Sequence, residues 1–267
     1  LYKMPSFKGY SSFFSAFWTN AISVVLVLLA LILSGKPYLS GLATVSWYAI
    51  IWGVFFAINM ILQKTLLRNV EVSSAYPVTS SISTVAVVLI GITLLSEQIS
   101  LIQTLGIIVI LLSIFMFTRK TDGFPLNQKT LFLSLGIVIS STASKYVQKL
   151  GATYDSVSHF ILWQYIGAAI FALFVAYIFE NRNFKEIVRL DKYWWGSFLI
   201  SFFAVLGGYT IFKALSLGPL SGVYAVHPIY VVMAGVFGAI FFQEKLTKTK
   251  IALALMSAVG VILLRIG

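Results

Sequence analysis

Three observations predict an all-α polytopic membrane protein, built as an inverted repeat of two five-helix units. The first is composition. The 267 residues are 59% hydrophobic and only 10% charged, whereas soluble domains carry roughly 25% charged residues. The second is run length. Nearly all of the chain lies in apolar runs of about 17–25 residues, long enough to cross a hydrocarbon core about 30 Å thick at about 1.5 Å per residue. The third is self-similarity. An offset of 147 carries Ser74 onto Ser221, Ile82 onto Ile229, Val85 onto Val232, Gly91 onto Gly238 and Glu97 onto Glu244. The same offset carries Trp47 onto Trp194 and Phe55-Phe56-Ala57 onto Phe202-Phe203-Ala204. A tripeptide in register argues for duplication, and internal symmetry of this kind marks many membrane carriers.

The same observations exclude other classes. A soluble helix needs a polar face, which these runs lack. A transmembrane barrel would alternate over strands of about ten residues. The net charge of +11 would suggest nucleic acid in a soluble protein. Here the basic residues sit in short loops, where they set topology instead. With no cysteine there is no disulfide framework, thiol catalysis or thiolate metal site.

Along the chain, residues 1–12 form a polar, basic lead with Lys3, Pro5 and Lys8. Apolar runs follow at about 13–34, 44–67, 74–96 and 101–118, then the polar link 119–129. Five more runs lie at about 130–149, 157–179, 193–216, 220–243 and 249–266. The link divides the chain into a first repeat, 1–119, and a second, 120–267. At an offset of 146, Lys3, Ser12 and Phe14 match Lys149, Ser158 and Phe160. Lys149 closes the first helix of the second repeat, so this register predicts a further span before Leu1 and nine of ten spans in the chain. Five helices per unit is an odd number, so the two units insert in opposite orientations. Basic residues concentrate on the face of the central link (Lys64, Arg68, Arg119, Lys120, Lys129, Lys245 and others). The opposite face has Lys36, Lys145, Lys149, Lys213 and Arg265. By the positive-inside rule the link is cytoplasmic and the C-terminus outside.

Each fourth helix of a repeat ends in a glutamate that opens a short turn into a glycine-containing fifth helix. The second copy reads Pro228, then Glu244-Lys245-Leu246-Thr247, then Gly260. The first reads Glu97-Gln98-Ile99-Ser100, then Gly106, with Ser81 at the position of Pro228 and the proline four residues earlier at Pro77. Over essentially its whole length the chain resembles the EamA family of the drug/metabolite transporter superfamily. That resemblance implies a carrier whose central cavity is lined by the first, third and fourth helices of each unit. It also implies cytoplasmic termini, which conflicts with the loop charges, so the orientation stays open.

Polar side chains at membrane depth are functional candidates because a charge there costs about 2.5–3.5 kcal/mol on insertion scales. His227 precedes Pro228, whose missing N–H frees the carbonyl of Tyr224. Such a break is tolerated where backbone faces protein or a wet cavity. Tyr224, His227 and Tyr230 follow at i, i+3, i+6 and share a face. Lys145 and Ser141 belong to the most polar patch of any span, and a lysine there suits a carboxylate or phosphate. Trp52 and Asn59 in one third helix and Tyr209 in the other are further substrate-binding candidates. Tyr76, Thr79 and Ser83 in the first fourth helix complete the set. Close helix packing explains the small hydroxyl residues equally well. His159, near its helix start, reads as interfacial. Glu97 and Glu244 read as structural, each capping the helix that follows it, since a positive N-terminal dipole favours an anion. Pro228 is likewise a structural break.

No G-x-S-x-G, H-E-x-x-H or P-loop is present, so no enzyme, metal or cofactor is expected. The expected partners are a small-molecule substrate and the lipid bilayer, without nucleic acid, in a monomer or homodimer of the inner or plasma membrane. The preferred reading is alternating access of a small metabolite, an amino acid or similar. The alternatives are a phosphorylated-metabolite or nucleotide-sugar exchanger, which needs Lys145 or Lys213 in its cavity, and a non-transporting scaffold or receptor.

Overall fold

The structure, a computed structural model, describes residues 11–35, 45–98, 100–120, 127–180, 194–224 and 247–266, with Phe237, Ile240 and Gln243. The described residues are all helical, apart from caps and turns, and contain no strand. The helices are α1 (Ser12–Leu33), α2 (Trp47–Leu66), α3 (Val72–Leu95), α4 (Leu101–Lys120), α5 (Gln128–Tyr154), α6 (Val157–Glu180), α7 (Trp194–Leu217), α8 (Leu220–Tyr224) and α9 (Lys248–Ile266). Six have membrane-spanning length and composition: α1, α2 and, within α3, α5, α6 and α7, the segments Ser74–Leu95, Gln128–Thr153, Val157–Phe179 and Trp194–Leu217.

Polar residues between the apolar runs start the helices by taking up first-turn N–H groups that have no intrahelical partner. Ser11 Oγ accepts from Phe13 N and Phe14 N at 3.2 and 3.3 Å. Ser46 Oγ accepts from Ala49 N at 3.2 Å, and Asn127 Oδ1 from Thr130 N at 2.8 Å. Ser100 and Gln103 form a reciprocal capping box at the head of α4, at 3.2 and 3.0 Å. The helix α3 ends on Ser96 in the left-handed region, φ 55°, with Glu97 N donating back to Gly91 O at 3.0 Å. Among the described residues one other non-glycine residue has positive φ, Gln243 at 54°. It lies at the 147-residue offset of the repeat.

Apart from the run over 220–243, the apolar runs fall within three residues of the helices, with one difference. The run expected over 130–149 extends as α5 to Tyr154. Within it, Ser140 Oγ donates to the carbonyl of Gly136 at 2.7 Å, which takes up the hydroxyl inside the helix. Of the run expected over 220–243, the described residues are Leu220–Tyr224, which form a helix, with Phe237, Ile240 and Gln243. His227, Pro228, Tyr230 and Glu244 lie outside the described residues.

The chain forms two compact units, Leu1–Arg68 with Ala143–Leu217, and Asn69–Thr142 with Gly218–Gly267. Each draws helices from both halves of the sequence, so the spatial units divide the chain differently from the repeats expected over 1–119 and 120–267. In the first unit α1 packs on α2, α6 and α7, and α6 also packs on α2 and α7. Ala16, Ala57, Ala168 and Ala172 meet there, with Met60 and Ile61. Small residues bring the backbones close. A Cβ at Gly53 would sit 2.2 Å from Gln164 O and 2.9 Å from Ala168 N, and one at Gly167 would sit 3.1 Å from Ile50 Cα. In the second unit α3 packs on α4, α8 and α9, and α4 on α9. Gly260 touches α4 so closely that a Cβ would lie 2.9 Å from Gly106 O. Ser113 Oγ donates to Leu253 O at 2.7 Å across that contact.

Candidate functional site

The first unit withdraws an unusual set of polar side chains from lipid. Ser12, Ser15, Thr19, Asn20 and Ser23 recur at three- and four-residue spacing along α1, and all are buried. Two of their hydroxyls satisfy the helix's own carbonyls. Thr19 Oγ1 donates to Ser15 O at 2.7 Å and Ser23 Oγ to Thr19 O at 2.9 Å. Ser201 Oγ of α7 lies 2.6 Å from Thr19 O and 2.7 Å from Ser197 O. Against this stripe stands Lys64 of α2, which is 0% exposed. Its Nζ donates to Ser15 Oγ at 2.8 Å and to Thr19 Oγ1 at 3.5 Å. Read from sequence as a loop charge, Lys64 is instead a fully buried lysine whose Nζ meets hydroxyls. Its position in the last turn of α2 made it look peripheral, but α1 covers it. Asn20 Nδ2 donates to Ala16 O at 2.8 Å, while its Oδ1 has no partner among the described residues.

Further along α2 and α6, Trp52 stacks on Phe56 (5.1 Å, 17°) and tilts against Phe160 (5.8 Å, 50°). Phe160 packs on Phe212 of α7 at 4.4 Å. Gly151 leaves room for Phe160, since a Cβ there would lie 2.0 Å from its Cε2. One turn beyond Phe160 lies Gln164, 0% exposed, whose backbone touches α2 at Gly53. At one end of this unit, Ser46 Oγ hydrogen-bonds Asp155 Oδ2, and Asp155 Oδ1 lies 3.8 Å from His159 Nδ1. His159 therefore belongs to a half-buried polar cluster that ties the start of α2 to the start of α6.

In the second unit Ser83 Oγ donates to Ser141 Oγ at 3.0 Å, bringing two of the candidates together. Thr79, also buried, donates to Ala75 O at 2.8 Å. Tyr76 is half-buried on the same helix, and Tyr224, 3% exposed, lies on α8, which packs on α3. Glu97 corrects the expected capping. It does not cap α4, whose start Ser100 and Gln103 close. Its carboxylate instead accepts from Leu220 N at 2.8 Å and Ser221 N at 3.2 Å, the first N–H groups of α8. The left-handed turn at Ser96 reverses the chain over Gly91, where a Cβ would meet Glu97 Oε2 at 2.6 Å. That reversal aims the side chain away from α4.

Of the remaining candidates, Trp52 and Lys145 are buried in the first unit, Asn59 is half-buried, and Tyr209 is 41% exposed. Lys64, Gln164 and the α1 stripe were missed by sequence reasoning. Gln164 carried a signal, as the sole amide between Phe160 and Phe179. The spacing of Ser12, Ser15, Thr19 and Ser23 carried another.

A family model described as the EamA-like transporter family matches residues 128–266. A solved crystal structure, described in print only as that of a protein, is similar over 98% of this chain and 89% of its own, with 12% identity and a TM-score of 0.73. At that identity the likeness shows the fold alone. None of the curated proteins compared with the chain matches it. The chain is a multi-pass membrane protein and belongs to the EamA-like transporter family, a family of the drug/metabolite transporter superfamily.

Proposed function

We infer that the protein is a carrier that moves a small organic metabolite, an amino acid or similar, by alternating access in the inner or plasma membrane. The observation that carries this reading is the polar interior of the first unit: a fully buried Lys64, the hydroxyl stripe of α1 and Gln164, all within helices of membrane-crossing length. A helix bundle serving only as an anchor has no use for such groups, since each one lowers its stability in hydrocarbon. A ten-span inverted repeat is the architecture we propose around it. The left-handed φ shared by Ser96 and Gln243, 147 residues apart, supports that duplication. Within the first unit, Trp52, Asn59, Lys145 and Tyr209 are the residues we propose as solute contacts, and within the second, Tyr76, Thr79, Ser83, Ser141 and Tyr224 are proposed separately.

Solute counterflow tests the reading. Proteoliposomes preloaded with an unlabelled amino acid mixture should transiently accumulate a labelled member of it, and protein-free vesicles should not. Equal uptake by both would refute carrier function for that class.

A further inference from the structure

The stretch from Phe160 to Phe179 contains one amide and no charge. That amide, Gln164, is 0% exposed, and neither its Nε2 nor its Oε1 has a hydrogen-bond partner among the described residues. Trp52, 5% exposed on the facing helix, has an Nε1 in the same condition. The two belong to one contact region. Gly53, next to Trp52, touches the backbone of Gln164, and the Trp52 ring packs on Phe160, one turn before Gln164. Buried polar groups in native proteins are ordinarily satisfied, the more so inside a bilayer where water is scarce. Those left unsatisfied by protein are open to completion by a ligand.

The chemistry of the three atoms selects that ligand. Trp52 Nε1 and Gln164 Nε2 are donors, and Gln164 Oε1 is an acceptor. A solute group with both acceptors and a donor completes all three. A phosphate dianion would leave Oε1 facing negative charge, and a simple cation would face two donors. Aromatic rings beside the amide suit an apolar body next to the polar head.

We propose that Trp52 and Gln164 form a solute subsite for the polar head of a net-neutral solute, a carboxamide or an amino-acid zwitterion, beside the rings of Phe56 and Phe160. This inference rests on the carrier reading and narrows it to a substrate class.

Binding to the full-length purified chain tests it, with L-glutamine and L-phenylalanine as net-neutral probes and glucose 6-phosphate and spermidine as charged ones. The wild type should bind a net-neutral probe and neither charged one. Gln164→Leu should weaken that binding by at least about tenfold, because the solute's own polar groups then go unpaired, and Trp52→Phe should weaken it severalfold. Without ligand, Gln164→Leu should melt no lower than the wild type, since it removes an unsatisfied amide. Preference for a charged probe would overturn the proposal. So would unchanged affinity in both variants, or a lower melting temperature of Gln164→Leu with affinity intact, the signature of an amide held by structural water alone. Counterflow separates the two levels. Exchange of glucose 6-phosphate that is indifferent to Gln164→Leu would overturn the subsite and leave a carrier. Net-neutral binding lost in Gln164→Leu, without exchange of any probe, would overturn the carrier and leave the subsite.

Discussion

Gly53→Ala is the sharpest probe of the first unit, because its effect follows from a single distance. The added Cβ would lie 2.2 Å from Gln164 O, 2.9 Å from Ala168 N and 3.2 Å from Gln164 C. All three are backbone atoms of α6, so no rotamer change relieves the clash. Restoring an ordinary contact of at least 3.4 Å from 2.2 Å requires α2 and α6 to separate by roughly 1 Å. A gap of that size forfeits a quarter to a half of the dispersion well for each atom pair along the seam. Overpacking in well-packed cores costs about 1–3 kcal/mol and occasionally more, and an all-backbone clash belongs at the upper end, about 3 kcal/mol. At about 2–4 °C per kcal/mol for a chain approaching this size, melting should fall by roughly 6–12 °C. Thermal unfolding in detergent, followed by tryptophan fluorescence, reads it. The graded controls are built into the fold. Gly167→Ala, whose Cβ would sit 3.1 Å from Ile50 Cα, should cost less. Gly207→Ala, with nothing within 4 Å, should be neutral or gain up to about 1 kcal/mol of helix propensity. If Gly53→Ala melts with the wild type, α2 and α6 do not meet as described.

Other predictions follow from hydrogen bonds rather than contacts. Ser15→Ala removes the 2.8 Å acceptor of Lys64 Nζ and should lower stability by about 1–3 kcal/mol, measured by the same melt. Lys64→Met keeps the length of the side chain without the charge, so it should fold at least as stably while reducing solute exchange in vesicles. Unchanged exchange would remove Lys64 from the site. Glu97→Ala leaves the first N–H groups of α8 without their carboxylate and should destabilise by about 1–2 kcal/mol, with Glu97→Gln intermediate. An equal loss in Ser100→Ala alone would mean that the start of α4, not α8, sets that stability.

The helices were legible in the sequence because membrane length is imposed from outside the protein. An apolar run of about twenty residues has one stable fate in a bilayer, whatever packs against it. Helix starts have equally local causes, since Ser46, Ser100 and Asn127 act on N–H groups three residues away. What could not be read were facts that depend on a partner helix. Lys64 resembles any lysine at a helix end until α1 covers it. Glu97 resembles a cap for its own successor, yet its partners are 123 and 124 residues along the chain. Ser83 and Ser141 were each suspected singly, and only their meeting at 3.0 Å ties them to one place. Gln164 was visible as a lone amide, but its full burial was not.

Counterflow of labelled L-phenylalanine and L-glutamine into proteoliposomes holding the full chain tests the account most directly. Saturable, protein-dependent accumulation against unlabelled solute is the predicted result, diminished in Gln164→Leu and Trp52→Phe. Folded, monodisperse protein that exchanges no amino acid or related metabolite would contradict it, and the buried polar interior would then need a purpose other than carrying solute.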